Sequence, residues 1–88
     1  DQEIGGFRSA LEQFESANRD LAMHILESFA RKLGFTDDFF TQRHDPTSLE
    51  YQSTLRILHY LPMATADLQP GDWRAGAHTD YDCLTLLH

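Results

Sequence analysis

Arg74-Ala75-Gly76-Ala77-His78-Thr79-Asp80-Tyr81, near the C-terminal end of the chain, is the stretch that decides what the remainder has to be. It reads as a strand. Side chains alternate across a strand with period two, so His78 and Asp80 are expected on one face. One imidazole and one carboxylate would then converge on one point. That is two thirds of the 2-His-1-carboxylate facial triad, which holds non-haem Fe(II) on one side and leaves the opposite positions open. An H-x-D pair taken alone is more often a solvated surface pair than a metal site, so its flanks matter.

Small residues Ala75, Gly76 and Ala77 lead into His78, and Leu84-Thr85-Leu86-Leu87 reads as a further, buried strand. Taken together, R-A-G-A-H-T-D-Y-x-x-L-T-L-L over 74–87 resembles the iron-binding segment of the isopenicillin N synthase-like branch of the Fe(II)/2-oxoglutarate-dependent dioxygenases. The resemblance implies an α+β fold: a long N-terminal helix plus the first strands of a double-stranded β-helix, or jelly-roll, dioxygenase core, truncated. Such a core is built from about eight strands in two facing sheets, and at most three are readable here. The strand pattern stops at His88 within an apolar run, so the chain is expected to be an internal fragment of a longer enzyme. Residues 1–50 would form a helical segment packing on the outside of the core, and 51–88 the start of the jelly-roll domain.

Upstream, Ser53-Thr54-Leu55-Arg56-Ile57-Leu58-His59-Tyr60 reads as another strand, with Leu55, Ile57 and His59 on one face and Arg56, Leu58 and Tyr60 on the other. It ends at Leu61-Pro62. This is similar to the R-x-N-x-Y-x-P strand of plant members of the family, where Asn and Tyr help to bind the 2-oxoglutarate carboxylate. Arg56, Tyr60 and Pro62 match; Leu58 stands where those members have Asn. The resemblance therefore makes Tyr60 the candidate cosubstrate contact, against a core tyrosine with its hydroxyl satisfied by backbone. Between this strand and the metal strand, Pro70-Gly71-Asp72 marks a turn in a loop from Met63 to Trp73. Trp73 would line a substrate pocket or plug the sheet edge.

The chemistry implied by the resemblance is oxidation of a small organic substrate by O₂, with Fe(II) as cofactor and 2-oxoglutarate as cosubstrate. His78 and Asp80 would be iron ligands. The distal His and the Arg that pairs with the far carboxylate of 2-oxoglutarate are expected beyond His88, which itself follows His78 too closely to serve as the distal ligand. Two alternatives stand beside this: a non-catalytic jelly-roll relative that binds or interacts, and an isopenicillin N synthase-like oxidase that uses no 2-oxoglutarate.

The N-terminal half is helical in pattern. Phe7, Leu11, Phe14, Ala17, Leu21, Ile25, Phe29 and Leu33 recur at spacings of three and four, predicting one apolar stripe on a helix over 7–33. Ser9-x-x-Glu12 offers a capping box, and Gly34 after Arg31 and Lys32 offers a C-terminal stop. Aromatic residues at such spacing are core rather than a cofactor box in most helices. Thr36-Asp37-Asp38-Phe39-Phe40 opens a second, short helix over about 37–43, ended by Asp45-Pro46. His24 and His44 read as exposed helix and loop residues.

A net charge of −7 and a pI near 4.9, with the basic residues scattered, argue against a nucleic-acid or anionic-membrane partner. No apolar run approaches the ~18 residues of a membrane span, and the start carries no signal-peptide pattern. The single Cys83 excludes an internal disulfide and suits a reducing, cytoplasmic setting. It reads as a small strand-edge residue rather than a nucleophile.

Overall fold

The structure is a computed structural model that describes residues 4–88; the first three residues of the polar lead-in lie outside the described residues. One helix dominates. Helix α1 runs Phe7–Leu33, 27 residues or about 40 Å at 1.5 Å per residue. Its bounds follow from local chemistry at both ends. Gly6, at φ 78°, turns the chain into the helix. Gly34, at φ 83°, turns it out, where a left-handed backbone costs an L-side chain but not glycine. There the Gly34 N–H donates to the Arg31 carbonyl (3.1 Å) and the Phe35 N–H to the Ala30 carbonyl (2.9 Å), the paired bonds of a Schellman closure. Arg31 and Lys32 set positive charge against the carbonyl end. The capping box does not form: no side chain caps the N-terminus, and the Ser9 hydroxyl instead donates back to the Gly6 carbonyl at 3.0 Å.

The buried face of α1 differs from the predicted stripe. Leu26 and Ala30 are its buried residues. Leu11, Asn18, Arg19, Ala22, Met23 and Ile25 are half-buried. Phe7, Phe14, Leu21, Phe29 and Leu33 are exposed. At 100° per residue the covered line through 22, 26 and 30 lies about a quarter-turn from the Phe7–Leu33 line. Local spacing thus identifies apolar residues, while the neighbouring chain selects which of them are covered.

The predicted second helix is a run of turns over 37–40 followed by a single 3₁₀ turn, Thr41–Arg43. This segment folds back on α1. Phe35 stacks on Phe39 (centroids 4.2 Å apart), and Phe40 meets both edge-on at 6.1 and 5.1 Å. Arg31 anchors the return with two bonds to the Asp37 carboxylate, 2.9 and 2.7 Å. The guanidinium beside it holds Asp37 below its ordinary pKa. Asp45 then accepts from the Thr47 N–H and hydroxyl, closing a local turn at Pro46.

The strands expected at 53–60, 75–79 and 84–88 are not present among the described residues, which hold no strand at all. A ladder needs a second chain segment to accept its N–H groups, and no segment among the described residues supplies one. The 3₁₀ turn Thr65–Asp67 lies between them. Two compact units result: one runs up to Thr54 and takes in Leu86–His88, and the other is Leu55–Thr85. In the first, the C-terminal residue reaches α1, where the His88 Nε2 meets the Asn18 side-chain oxygen at 2.7 Å and its ring lies edge-on to Phe14 at 4.9 Å.

Candidate metal centre

The second unit carries the H-x-D pair, and the two side chains face each other without a strand to set their alternation. His78 Nε2 lies 3.0 Å from Asp80 Oδ1. The other ring nitrogen, Nδ1, lies 2.8 Å from the Gly76 carbonyl. A carbonyl and a carboxylate only accept, so each contact is made by whichever ring nitrogen carries a proton, and the two together favour the protonated ring. The Gly76 carbonyl first, and then the Asp80 carboxylate, raise the His78 pKa above its ordinary value. Asp80 is held below the ordinary carboxylate range chiefly by the Thr85 hydroxyl and secondarily by His78. Both side chains are open to solvent, His78 at 64% and Asp80 at 51%.

This donor set fits a divalent cation. Imidazole nitrogen and carboxylate oxygen are both ordinary donors to Fe(II), and the 3.0 Å between them is by itself the length of a hydrogen bond. His78 Nε2 and an Asp80 carboxylate oxygen would hold the ion, and its binding would displace any proton on that nitrogen. The bond from Nδ1 to Gly76 would remain, fixing the ring tautomer as carbonyl partners do around metal-bound histidines. Gly76 also has nothing within 4 Å of where a Cβ would stand. Its use here is therefore the carbonyl and not a close approach to its Cα.

The other sequence-predicted residues are placed as follows. Tyr60 is exposed and lies with its ring centroid 6.0 Å from the Arg74 guanidinium carbon, at the outer reach of a cation–π contact. Arg74 Nη1 also donates to the Leu61 carbonyl at 2.6 Å. Trp73 is exposed at 79% and neither lines a pocket nor plugs a sheet edge among the described residues. Pro70-Gly71 forms the expected turn: Gly71 has φ 91°, the Asp72 N–H donates to the Gln69 carbonyl (3.0 Å), and the Asp72 carboxylate accepts from the Gln69 N–H (2.8 Å). Cys83 is a free thiol with its pKa raised by a bond to Asp82 and by its surroundings, the opposite of an activated nucleophile. His24 is exposed and lies 3.9 Å from Glu27. His44 Nδ1 meets the Phe40 carbonyl at 2.8 Å.

Sequence reasoning missed Thr85 and the role of Arg74. Thr85 carried a signal, since its hydroxyl is the one polar group within Leu84-Thr85-Leu86-Leu87. Arg74 carried none, because its acceptor stands 13 positions away.

No family model matches the chain, and no solved structure matches it significantly. Curated relatives do. The chain is 32% identical over 85 residues to proline hydroxylase buaE of Petromyces alliaceus, covering 97% of this chain and 25% of that protein. It is 33% identical over 81 residues to a 2-oxoglutarate-Fe(II) type oxidoreductase of Aspergillus fumigatus, covering 92% and 23%. It is 32% identical over 87 residues to gibberellin 20 oxidase 2 of Arabidopsis thaliana, covering 99% and 21%. The chain thus spans about a quarter of the length of the curated relatives it matches.

Proposed function

Because the chain belongs by sequence to the 2-oxoglutarate-dependent dioxygenases, we propose that His78 and Asp80 are two of the three protein ligands of an Fe(II) centre in an oxygenase acting on a small organic substrate. The carrying observation is the facing of His78 Nε2 and Asp80 Oδ1 at 3.0 Å with Nδ1 pinned by the Gly76 carbonyl. The jelly-roll core belongs to the same proposal, as does 2-oxoglutarate as cosubstrate with Tyr60 as a contact for it.

The chain's own residues then have distinct tasks. His78 gives up the Nε2 proton and presents a neutral lone pair, while its Nδ1–H bond to Gly76 holds the ring plane. Asp80 contributes the negative charge that favours a divalent ion, and the Thr85 hydroxyl lowers the pKa of that carboxylate. Tyr60 offers a hydroxyl donor suited to a carboxylate. Bound at this pair, the metal supplies the coupled oxidation of 2-oxoglutarate and substrate, the protein contributing geometry.

The test is titration of the full-length protein with Mn(II), a redox-silent substitute, followed by a succinate assay with Fe(II), 2-oxoglutarate and O₂. Stoichiometric binding lost in both His78→Ala and Asp80→Ala, with succinate formed by the parent only, supports the proposal. Unchanged binding in Asp80→Ala would overturn it.

A further inference from the structure

The loop after Tyr60 has its own internal order, with a 3₁₀ turn at Thr65–Asp67 and the Gln69–Asp72 turn. Neither feature joins its two ends. Arg74 does: its Nη1 donates to the Leu61 carbonyl at 2.6 Å across 13 positions, and its guanidinium carbon sits 6.0 Å from the centroid of the Tyr60 ring. Arg74 therefore binds Leu61 and lies at the outer reach of a cation–π contact with Tyr60, two consecutive residues at the start of the loop, from its own place at the end, four positions ahead of His78. A planar guanidinium suits this double task, since it donates within its plane to a carbonyl while offering a face to a ring. Lysine, a point donor, can serve the carbonyl but cannot lie flat on the ring.

We propose that Arg74 is a positioning residue: it fastens the 61–74 loop and holds the Tyr60 ring to the segment that carries His78 and Asp80. The second half of this inference rests on the reading of Tyr60 as a cosubstrate contact. Its effect is on where the Tyr60 hydroxyl is presented. Arg74 itself touches neither metal nor cosubstrate.

The experiment compares the full-length parent with Arg74→Ala and Arg74→Lys by three readouts: thermolysin cleavage within 62–73, Mn(II) affinity, and 2-oxoglutarate affinity of the Mn(II)-loaded protein by calorimetry. Arg74→Ala should be cut faster in the loop and bind 2-oxoglutarate about two- to fivefold more weakly, the scale of an exposed cation–π contact. Its Mn(II) affinity should be unchanged, which a general loss of structure would not allow. Arg74→Lys should restore protection of the loop and leave the 2-oxoglutarate defect in place. Loop cleavage unaltered in Arg74→Ala overturns the fastening, and 2-oxoglutarate affinity unaltered alongside faster cleavage overturns the positioning of Tyr60. If Arg74→Ala does not fold, Arg74→Lys decides, and parent-like 2-oxoglutarate affinity in it overturns the inference. A parent that binds Mn(II) but no 2-oxoglutarate overturns the cosubstrate reading and the Tyr60 half with it, while cleavage still decides the fastening.

Discussion

At the scale of single residues, the H-x-D pair depends on two partners outside the motif. On the proposed assignment, removing either of the two ligands leaves the other with no means of completing the site, so His78→Ala and Asp80→Ala should each abolish metal binding and turnover in the full-length protein. His24→Ala and His44→Ala should leave both nearly intact, because those rings are engaged with Glu27 and with the Phe40 carbonyl. Thr85→Val is the subtler test. It keeps the side-chain shape, removes the hydroxyl that does most to lower the Asp80 pKa, and should weaken Mn(II) binding about tenfold, the scale of losing an outer partner of a ligand. An affinity within twofold of the parent would mean that Thr85 does not orient the Asp80 carboxylate for the ion. The motif was legible because its two donors stand two positions apart. The Gly76 carbonyl was hidden by the usual reading of glycine as a permissive residue, and Arg74 by the distance to its acceptor.

At the scale of the element, α1 shows what a sequence can and cannot specify locally. Its C-terminal end was legible, since Gly34 and the cations Arg31 and Lys32 act within a turn, whereas the capping box read at its start does not form. Its covered face was not: Leu26 and Ala30, the buried residues, lie about a quarter-turn from the line that local spacing picks out. The strand readings at 53–60, 75–79 and 84–88 failed in the structure for a related reason, as alternation describes a face but a strand exists only when paired. Gly34→Ala should destabilise the helix end by about 1–2 kcal/mol. Nothing lies within 4 Å of the added Cβ, so backbone strain alone is responsible; loss of helical signal in far-UV circular dichroism at an intermediate urea concentration checks it. The Arg31–Asp37 pair gives a pH dependence with a definite sign. Asp37 has its pKa depressed by the Arg31 hydrogen bond, so its stabilising contribution is present above the unfolded value of about 3.9 and is lost as pH falls through the lower, folded value. Aromatic NMR shifts of Phe35, Phe39 and Phe40 should report loosening in acid. Asp37→Asn should show already at pH 7 the looseness that the parent shows only in acid.

At the scale of the molecule, burial is the controlling quantity. Among the described residues the buried apolar ones are Leu26 and Ala30, and no helix is long and apolar enough to cross a membrane. The exposed line Phe7, Phe14, Leu21, Phe29 and Leu33 therefore faces water over most of the length of α1. Apolar surface of that extent drives association when no other surface covers it. The 88-residue chain prepared by itself should accordingly sediment as a concentration-dependent mixture, and Phe14→Glu with Phe29→Glu should shift it toward monomer. The same chain should bind Mn(II) weakly and form no succinate, because the two proposed ligands are open to solvent at 64% and 51% and have no third protein donor beside them among the described residues. Each outcome has its own measurement, velocity sedimentation for the first and calorimetric titration for the second. A monomeric parent would mean that the helix face is covered in solution by a rearrangement of this chain. Tight stoichiometric Mn(II) binding with succinate production would mean that the site is completed within these 88 residues, and the assignment of only two ligands to them would have to be withdrawn.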